Sequence, residues 1–230
     1  MPDADQHADL RFYFDPVCPF AWLTSKWVRQ VAAARGYVVD WRFISLRMVN
    51  EQVDYDQHFP PGYEAGHTAG LRLLRVAAKA RRTLGPEAVD RFYAALGKQN
   101  FDTPPPSPLP DTDPLDYRGA PSFVAPVLAE ARLPEPLVEA LEDSTLDADV
   151  RAETDEALAL AGKDVGTPII QVDPPEGLAF FGPVISRLPD EEASLELWDH
   201  VVALTRFPGF AELKRSLRER PRLRALETAD

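Results

Sequence analysis

The sequence contains one cysteine, Cys18, and its surroundings suggest covalent chemistry. It follows a run of apolar and aromatic residues and precedes Pro19, a residue type favoured at the first position of a helix. A cysteine at a helix start lies near unpaired backbone N–H groups and the positive end of the helix dipole. Such a setting can lower a thiol pKa from about 8.5 to roughly 3.5–7.5. We therefore expect Cys18 to be an ionised nucleophile at neutral pH, the alternative being a small buried hydrophobic residue.

A second feature lies about 150 residues later, where Thr167-Pro168 precedes an apolar run. Only a bond to proline adopts the cis form at modest cost, and such bonds are found in tight turns. Taken alone, this dipeptide is more typical of an ordinary trans turn. Taken with Cys18, the dipeptide is the second segment that we expect in a thiol active site.

The elements that must position these residues are short strands and the helices that connect them. Residues 10–15 predict a strand, 16–36 a helix that starts near Pro19 and is capped by Gly36, and 37–46 a second strand. Strand patterns return only at 167–172 and 178–181, followed by helices over 194–204 and 208–220. The sequence thus predicts an α/β protein in which a helical block interrupts a small mixed sheet.

Between the two groups of strands the pattern is helical. A proline-rich stretch, 101–114, is predicted to be a loop because proline and turn residues are poorly tolerated in regular elements. Helices are predicted over 62–85, 86–98, 122–133, 135–143 and 147–162.

Composition restricts the partners. A net charge of −12 and a pI of about 4.8 argue against nucleic-acid and anionic-membrane surfaces. The first ten residues lack a secretion-signal pattern, and no apolar run approaches the roughly 20 residues needed to span a bilayer. One cysteine in 230 residues fits a reducing cytosol, so we expect a cytoplasmic protein. The sequence leaves a homodimer open and does not define the oligomeric state.

Three segments carry a family resemblance. The segments DPVCPFAWLTSKWV, VGTPII and FFGPVISRLP…LWD resemble DsbA-type thioredoxin-fold proteins, and within these the actinobacterial mycothiol-dependent nitroreductases, related to the FrnE-like proteins. The resemblance runs from about residue 10 to residue 215. It implies a thioredoxin-like domain formed by residues 8–46 and 166–218, with an inserted helical domain over 47–165.

The resemblance also implies a set of site residues. Cys18 matches the nucleophilic thiol of the family, and Thr167 and Pro168 match its cis-proline loop. Asn50 and Tyr63 match residues that line the substrate pocket. The remaining positions of the active-site motif are Pro19, Phe20 and Ala21. Phe20 stands where the family also has an aromatic residue.

Ala21 is the main departure from the family pattern, since Cys-Pro-Phe-Ala replaces Cys-x-x-Cys. Without a second thiol no intramolecular disulfide can form, so only monothiol chemistry remains. Cys18 would attack a mixed disulfide or an electrophile, and a low-molecular-weight thiol would resolve the adduct. The resemblance implies mycothiol as this cosubstrate, no tightly bound cofactor, and a small molecule or a thiolated protein as substrate.

Two other functions stay open at this point. A thiol-dependent transferase or isomerase acting on a small electrophile needs no protein disulfide, so the loss of the second cysteine favours it. A binding protein could also keep the fold without the chemistry.

Several further patterns are weighed against simpler explanations. The four histidines show no metal-ligand spacing, so no metal site is predicted, although His58 or His67, on either side of Tyr63, could contact substrate. The four tryptophans are expected in the core. The four-residue spacing of Gly62, Gly66 and Gly70 indicates close helix packing rather than a phosphate loop. A basic cluster is expected to form a solvated helix face, or to bind the carboxylate of a small thiol: Arg72, Arg75, Lys79, Arg81 and Arg82.

Overall fold

A four-stranded mixed sheet brings together the two distant segments that carry Cys18 and Pro168. The computed structural model describes residues 8–109, 116–216 and 219–226. The strand order is β2-β1-β3-β4, with β2 parallel to β1 and the other two neighbouring pairs antiparallel. A strand–helix–strand unit followed by a hairpin and a helix is the thioredoxin topology, which confirms the predicted fold class. The strands are β1 (Leu10–Phe14), β2 (Val39–Phe43), β3 (Ile169–Val172) and β4 (Ala179–Phe181).

Eight α-helices accompany the sheet in the described part of the chain. Most lie between β2 and β3, and we call residues 46–161 the helical block. The helices are α1 (Pro19–Arg35), α2 (Leu46–Val49), α3 (Tyr55–His58), α4 (Tyr63–Leu84), α5 (Pro86–Gly97), α6 (Pro121–Glu130), α7 (Asp147–Ala161) and α8 (Glu191–Thr205). A π-helical turn, Lys98–Asp102, continues α5. The finer division into domains at 8–46, 47–165 and 166–218 remains a prediction.

Helix α1 begins and ends where its local signals indicate. Cys18 is its N-cap residue and Pro19 its first residue, while Gly36 follows it with φ of +70°. This left-handed conformation carries little steric cost for glycine, which lets the Gly36 N–H bond back to the Ala32 carbonyl. The buried face of α1, which includes Trp27 and Val31, fixes the helix start against the sheet.

The basic cluster on α4 differs from the sequence-based expectation of a solvated face. Arg72 pairs with Glu142, and Arg75 pairs with Asp147 at 2.6 Å. Arg82 likewise pairs with Asp149 at 2.5 Å. The arginines therefore join α4 to the segment that ends in α7. The expectation was wrong for Arg72 and Arg75, whose acidic partners lie about 70 residues away, whereas the Arg82 side chain is 51% exposed, as expected.

The open edge of β2 is covered by side chains instead of another strand. Arg81 on α4 donates to the Trp41 carbonyl at 2.6 Å, and the Glu153 carboxylate on α7 accepts from the Phe43 N–H at 2.8 Å. Arg81 and Glu153 also pair with each other. An edge strand leaves backbone groups unpaired. This pair satisfies two of them and fastens the helical block to the sheet.

Two predicted helices differ from the structure. Residues Glu135–Glu142 form a 3₁₀ helix rather than an α-helix. The helix expected over 208–220 is absent from its described part, 208–216 and 219–220. Leu213 there is 81% exposed, so no apolar face is buried to stabilise a helix. Of the loop predicted over 101–114, Phe101 and Asp102 belong instead to the π-helical turn, 103–109 are irregular as predicted, and 110–114 lie outside the described residues.

The four tryptophans are buried, as predicted. Gly66 and Gly70 face close neighbours, which confirms close packing of α4, whereas Gly62 is the N-cap of that helix with φ of +85°. Within the described residues, no helix combines the length and the apolar character needed to cross a membrane.

Candidate active site

The sulfur of Cys18 lies between the start of α1 and the loop before β3. It accepts a hydrogen bond from the Ala21 N–H, with Sγ and N 3.4 Å apart. The thiol donates to the Thr167 carbonyl, with Sγ and O 3.6 Å apart. The residue is 8% exposed. The fold therefore brings together the two features that are 149 positions apart in the sequence.

The Thr167–Pro168 peptide bond is cis, as the family resemblance implies. The loop is fixed on both sides, since the Thr167 hydroxyl donates to the Tyr13 carbonyl at 3.3 Å and the Pro168 carbonyl accepts from the Gly182 N–H at 2.9 Å. Thr167 therefore presents its carbonyl to the sulfur from a held position.

The ionisation state of Cys18 differs from the expectation of a thiolate. Burial raises the pKa of this thiol to about 12, and the nearby Asp15 carboxylate raises it further, whereas the N–H groups of Ala21 and Phe20 lower it. The helix start thus acts in the expected direction, but desolvation outweighs it. In this conformation the thiol is protonated at neutral pH.

Asp15 is a fully buried carboxylate in the segment before Cys18. Its oxygens accept from the N–H groups of Val17 at 2.9 Å and Leu46 at 2.7 Å, which ties the cysteine loop to the start of α2. Burial raises the pKa of Asp15 to about 6, although both hydrogen bonds and Arg118 lower it. Asp15 therefore ionises close to neutral pH beside the thiol.

We expect this coupling to be visible in the pH dependence of Cys18 alkylation. Well below its pKa, a thiol gains thiolate tenfold per pH unit. As Asp15 ionises near pH 6, its negative charge raises the pKa of Cys18, so the logarithm of the rate should rise less steeply there. Asp15→Asn should remove this inflection. Iodoacetamide rates followed by intact mass from pH 4.5 to 9 measure it.

The control for that experiment is Asp190→Asn, at the exposed N-cap of α8. It should retain the wild-type inflection. A wild-type profile of unit slope across pH 6, or an Asp15→Asn profile that keeps the inflection, would show that Asp15 does not influence the thiol.

The other motif residues surround the sulfur. Pro19 is the first residue of α1, Phe20 is half-buried, and Ala21 is fully buried. Ala21 directs its N–H at the sulfur from the position where the resemblance implies a second cysteine. The site therefore has a backbone N–H donor at that position but no second thiol.

Asn50 and Tyr63 lie on the helical block rather than against the sulfur. Asn50 caps α2, and its side-chain amide donates to the Leu46 carbonyl at 2.8 Å. Tyr63 begins α4, is 48% exposed and stacks on Phe59 with ring centroids 5.6 Å apart. No hydrogen bond joins either residue to Cys18 within the described ranges.

His67 belongs to the aromatic cluster around Tyr63. Its Nδ1 lies 2.9 Å from the Tyr55 hydroxyl, and its ring meets those of Phe59 and Tyr63 edge-on. Burial, followed by Arg47 and Arg118, lowers the pKa of His67 to about 4. The imidazole is therefore neutral and mainly supports the cluster, while His58 is exposed.

Two residues near Cys18 were missed in the sequence. Asp15 could have been found, because an acidic residue directly after a buried strand is a signal for a polar site. Asn100 could not, since nothing near it in sequence indicates that its amide donates to the Pro16 carbonyl at 3.1 Å. No group of three or more acidic, histidine or cysteine side chains within the described ranges could hold a metal ion.

Comparisons with known proteins identify the family of the chain. Residues 17–215 match the family model described as Rv2466c-like, mycothiol-dependent nitroreductase Rv2466c. The chain belongs to this family. An uncharacterised Mycobacterium tuberculosis protein, Rv2286c, is 35% identical over 204 residues, which cover 89% of this chain and 80% of the relative. Members of the Rv2466c-like family are thiol-dependent oxidoreductases, and a small thiol is the cosubstrate that the family description specifies.

One solved structure is similar at lower identity. It is a Pseudomonas syringae protein named as a candidate protein-disulfide isomerase, 17% identical, covering 83% of this chain and 93% of its own, with a TM-score of 0.48.

Proposed function

We propose that this Rv2466c-like protein is a monothiol oxidoreductase that uses a low-molecular-weight thiol, mycothiol, to reduce mixed disulfides or small molecules through Cys18. The observation that carries the proposal is the placement of the Cys18 sulfur 3.6 Å from the Thr167 carbonyl, at the start of α1. A disulfide lying along the Thr167-Pro168 loop would meet the sulfur directly. Family membership supports the use of a small thiol.

The proposed cycle needs no second protein thiol. The Cys18 thiolate attacks the sulfur of a mixed disulfide that carries mycothiol, forms a new S–S bond to the mycothiol sulfur and releases the substrate as a thiolate. A second mycothiol thiolate then attacks this adduct, which releases mycothiol disulfide and regenerates Cys18. Across the cycle, the S–S bond of the mixed disulfide is broken, that of mycothiol disulfide is formed, and one free mycothiol thiolate is consumed for each substrate thiolate released.

The buried resting thiol suggests when this attack becomes possible. Burial is the largest cause of the raised pKa of Cys18. A substrate that separates the covering residues would expose the sulfur and leave the favourable N–H groups of Ala21 and Phe20 to act on it. We infer that the thiol is protected until a partner arrives.

The substrate would lie between the sheet and the helical block, near Asn50 and Tyr63. The exposed Tyr63 ring, stacked on Phe59, offers an aromatic surface there. Arg47 lies over the neighbouring Tyr55 ring, 5.4 Å from its centroid, and pairs with Glu64 at 3.0 Å. A cleft of about 550 Å³ adjoins α2 but is not lined by Cys18.

A reducing cytoplasm would keep Cys18 as a thiol.

The test is turnover with two acceptors, a peptide joined to mycothiol through a mixed disulfide and a nitroaromatic compound. We expect release of reduced peptide at a rate that depends on mycothiol and exceeds the reaction without protein. The nitroaromatic arm reports whether small molecules are also reduced. Failure of both acceptors to react faster than without protein would overturn the proposal.

A second function, a thiol-dependent transferase or isomerase, is favoured by one observation. Ala21 leaves the site without a resolving thiol, and conjugation of a small thiol to an electrophile needs none. In that case Cys18 would only orient or polarise the bound thiol, and no mixed disulfide with Cys18 would form during turnover.

A further inference from the structure

Besides the start of α2, a second short segment of the helical block holds the cysteine loop. This segment is the π-helical turn Lys98–Asp102 at the end of α5. Asn100, 5% exposed, donates its side-chain amide to the buried Pro16 carbonyl at 3.1 Å, two residues before Cys18. A buried carbonyl requires a donor, and this amide supplies one.

The same turn also holds α1 beyond the cysteine. Asp102 accepts from the indole N–H of Trp22 at 3.1 Å and from the Lys26 ammonium at 2.7 Å. Gly97 leaves room for the Trp22 ring, because a Cβ there would overlap it. Cys18 therefore lies between two segments that are both hydrogen-bonded to the π turn, one at Pro16 and the other at Trp22 and Lys26. π-helical turns are rare and are often found at functional sites.

The C-terminal segment supports this turn from outside. The 3₁₀ turn Arg224–Leu226 packs against the π turn, and Leu223 is buried in the core. The Arg222 N–H donates to the Ser186 carbonyl at 2.7 Å. The turn is thus enclosed and has little freedom to move on its own.

We propose that Asn100 is a positioning residue for Cys18, and that its hydrogen bond to Pro16 keeps the sulfur covered and aligned with the Thr167 carbonyl. The expected effect of Asn100 on turnover rests on the proposed function. Without the amide, the buried Pro16 carbonyl is unpaired, and the loop would turn it toward water. The sulfur would then be more exposed and less well aligned.

These two consequences act in opposite directions, which makes the inference testable. Alkylation by iodoacetamide needs only an accessible thiolate. Exchange with a disulfide also needs three sulfur atoms in line, which depends on the loop. The titratable groups coupled to the thiol are the Asp15 carboxylate, before α1, which raises the pKa of Cys18, and Tyr93, on α5, whose own pKa Cys18 raises. Neither is changed by replacing Asn100.

The experiment compares Asn100→Leu, which keeps similar bulk without a donor, with the wild type. We expect alkylation at pH 8 to rise about tenfold, with the pH profile displaced to lower pH, as burial of the thiol falls. Release of the mycothiol–peptide disulfide should fall about tenfold, consistent with loss of alignment. Asn100→Ala serves as the second variant if leucine is not accommodated.

Thr103→Val is the matched control. It removes a hydrogen bond from the Thr103 hydroxyl to the Lys98 carbonyl, on the same turn but away from the cysteine loop. It should leave both rates within about twofold of wild type. The inference would be overturned if Asn100→Leu showed wild-type rates of alkylation and of exchange. It would also be overturned if both rates fell together with thermal stability. If the wild type shows no exchange, the proposed function fails, whereas the alkylation profile still decides the role of Asn100.

Discussion

Replacing Cys18 by serine should abolish the mixed disulfide and lower mycothiol-dependent reduction by on the order of 10³-fold or more. Serine fits the space of the thiol and can accept from the Ala21 N–H, so the loop should be retained. A hydroxyl cannot form the S–S bond on which the cycle depends. The measurement is peptide release from its mycothiol disulfide, with thermal unfolding to verify the fold.

This substitution also separates the two proposed functions. A transferase or isomerase that uses Cys18 only to orient a bound thiol should retain most of its activity with serine and lose it with alanine. The monothiol oxidoreductase should lose activity equally in Cys18→Ser and Cys18→Ala. Substantial disulfide reduction by Cys18→Ser would contradict the oxidoreductase cycle.

Replacing Glu153 by alanine should give the largest loss of stability, about 3 kcal/mol. The Glu153 side chain is 12% exposed and pairs with both Arg81 and Arg42, the latter at 3.2 Å. It also accepts from the Phe43 N–H. Its removal leaves the largely buried Arg81 guanidinium and the Phe43 N–H without this carboxylate, whereas Arg42 keeps Asp40 at 2.6 Å. For a chain of this size the expected fall in Tm is roughly 6–12 °C.

The matched control is Glu156→Ala, one turn along α7. Glu156 also contacts arginines, Arg11 at 3.0 Å and Arg42 at 3.9 Å, but its side chain is 36% exposed. Solvent screens such pairs, so its loss should cost no more than about 1 kcal/mol. Equal effects of the two substitutions on the free energy of unfolding would show that the β2 edge contacts contribute little.

The local signals in the sequence were sufficient for the part of the site that lies on α1. Pro19 and Gly36 each have a preferred position at a helix end, so the start and end of α1 were correctly predicted. The Thr167-Pro168 loop was found only in combination with Cys18 and the family resemblance, because the dipeptide alone is more typical of a trans turn. Their proximity in space was inferred from the order of the strands and is confirmed by the contact between Cys18 and Thr167.

What the sequence could not provide depends on packing between distant segments. The pKa of Cys18 is decided by burial, which no pattern around residue 18 reports. The arginines of α4 looked solvated because Glu142, Asp147 and Glu153 lie far away in the chain. The segment predicted as a helix over 208–220 had the right residue types, but Leu213 in its described part is 81% exposed and buries no apolar contact that would stabilise a helix.

The most direct measurement is the intact mass of the protein after reaction with mycothiol disulfide at neutral pH. We expect one mycothiol to be added through Cys18, to be removed by free mycothiol, and to be absent from Cys18→Ser. A crystal of the adduct should show the new S–S bond beside the Thr167 carbonyl. A protein whose mass stays unchanged, although Cys18 is reduced and the chain is folded, would contradict the assignment of Cys18 as the exchanging thiol.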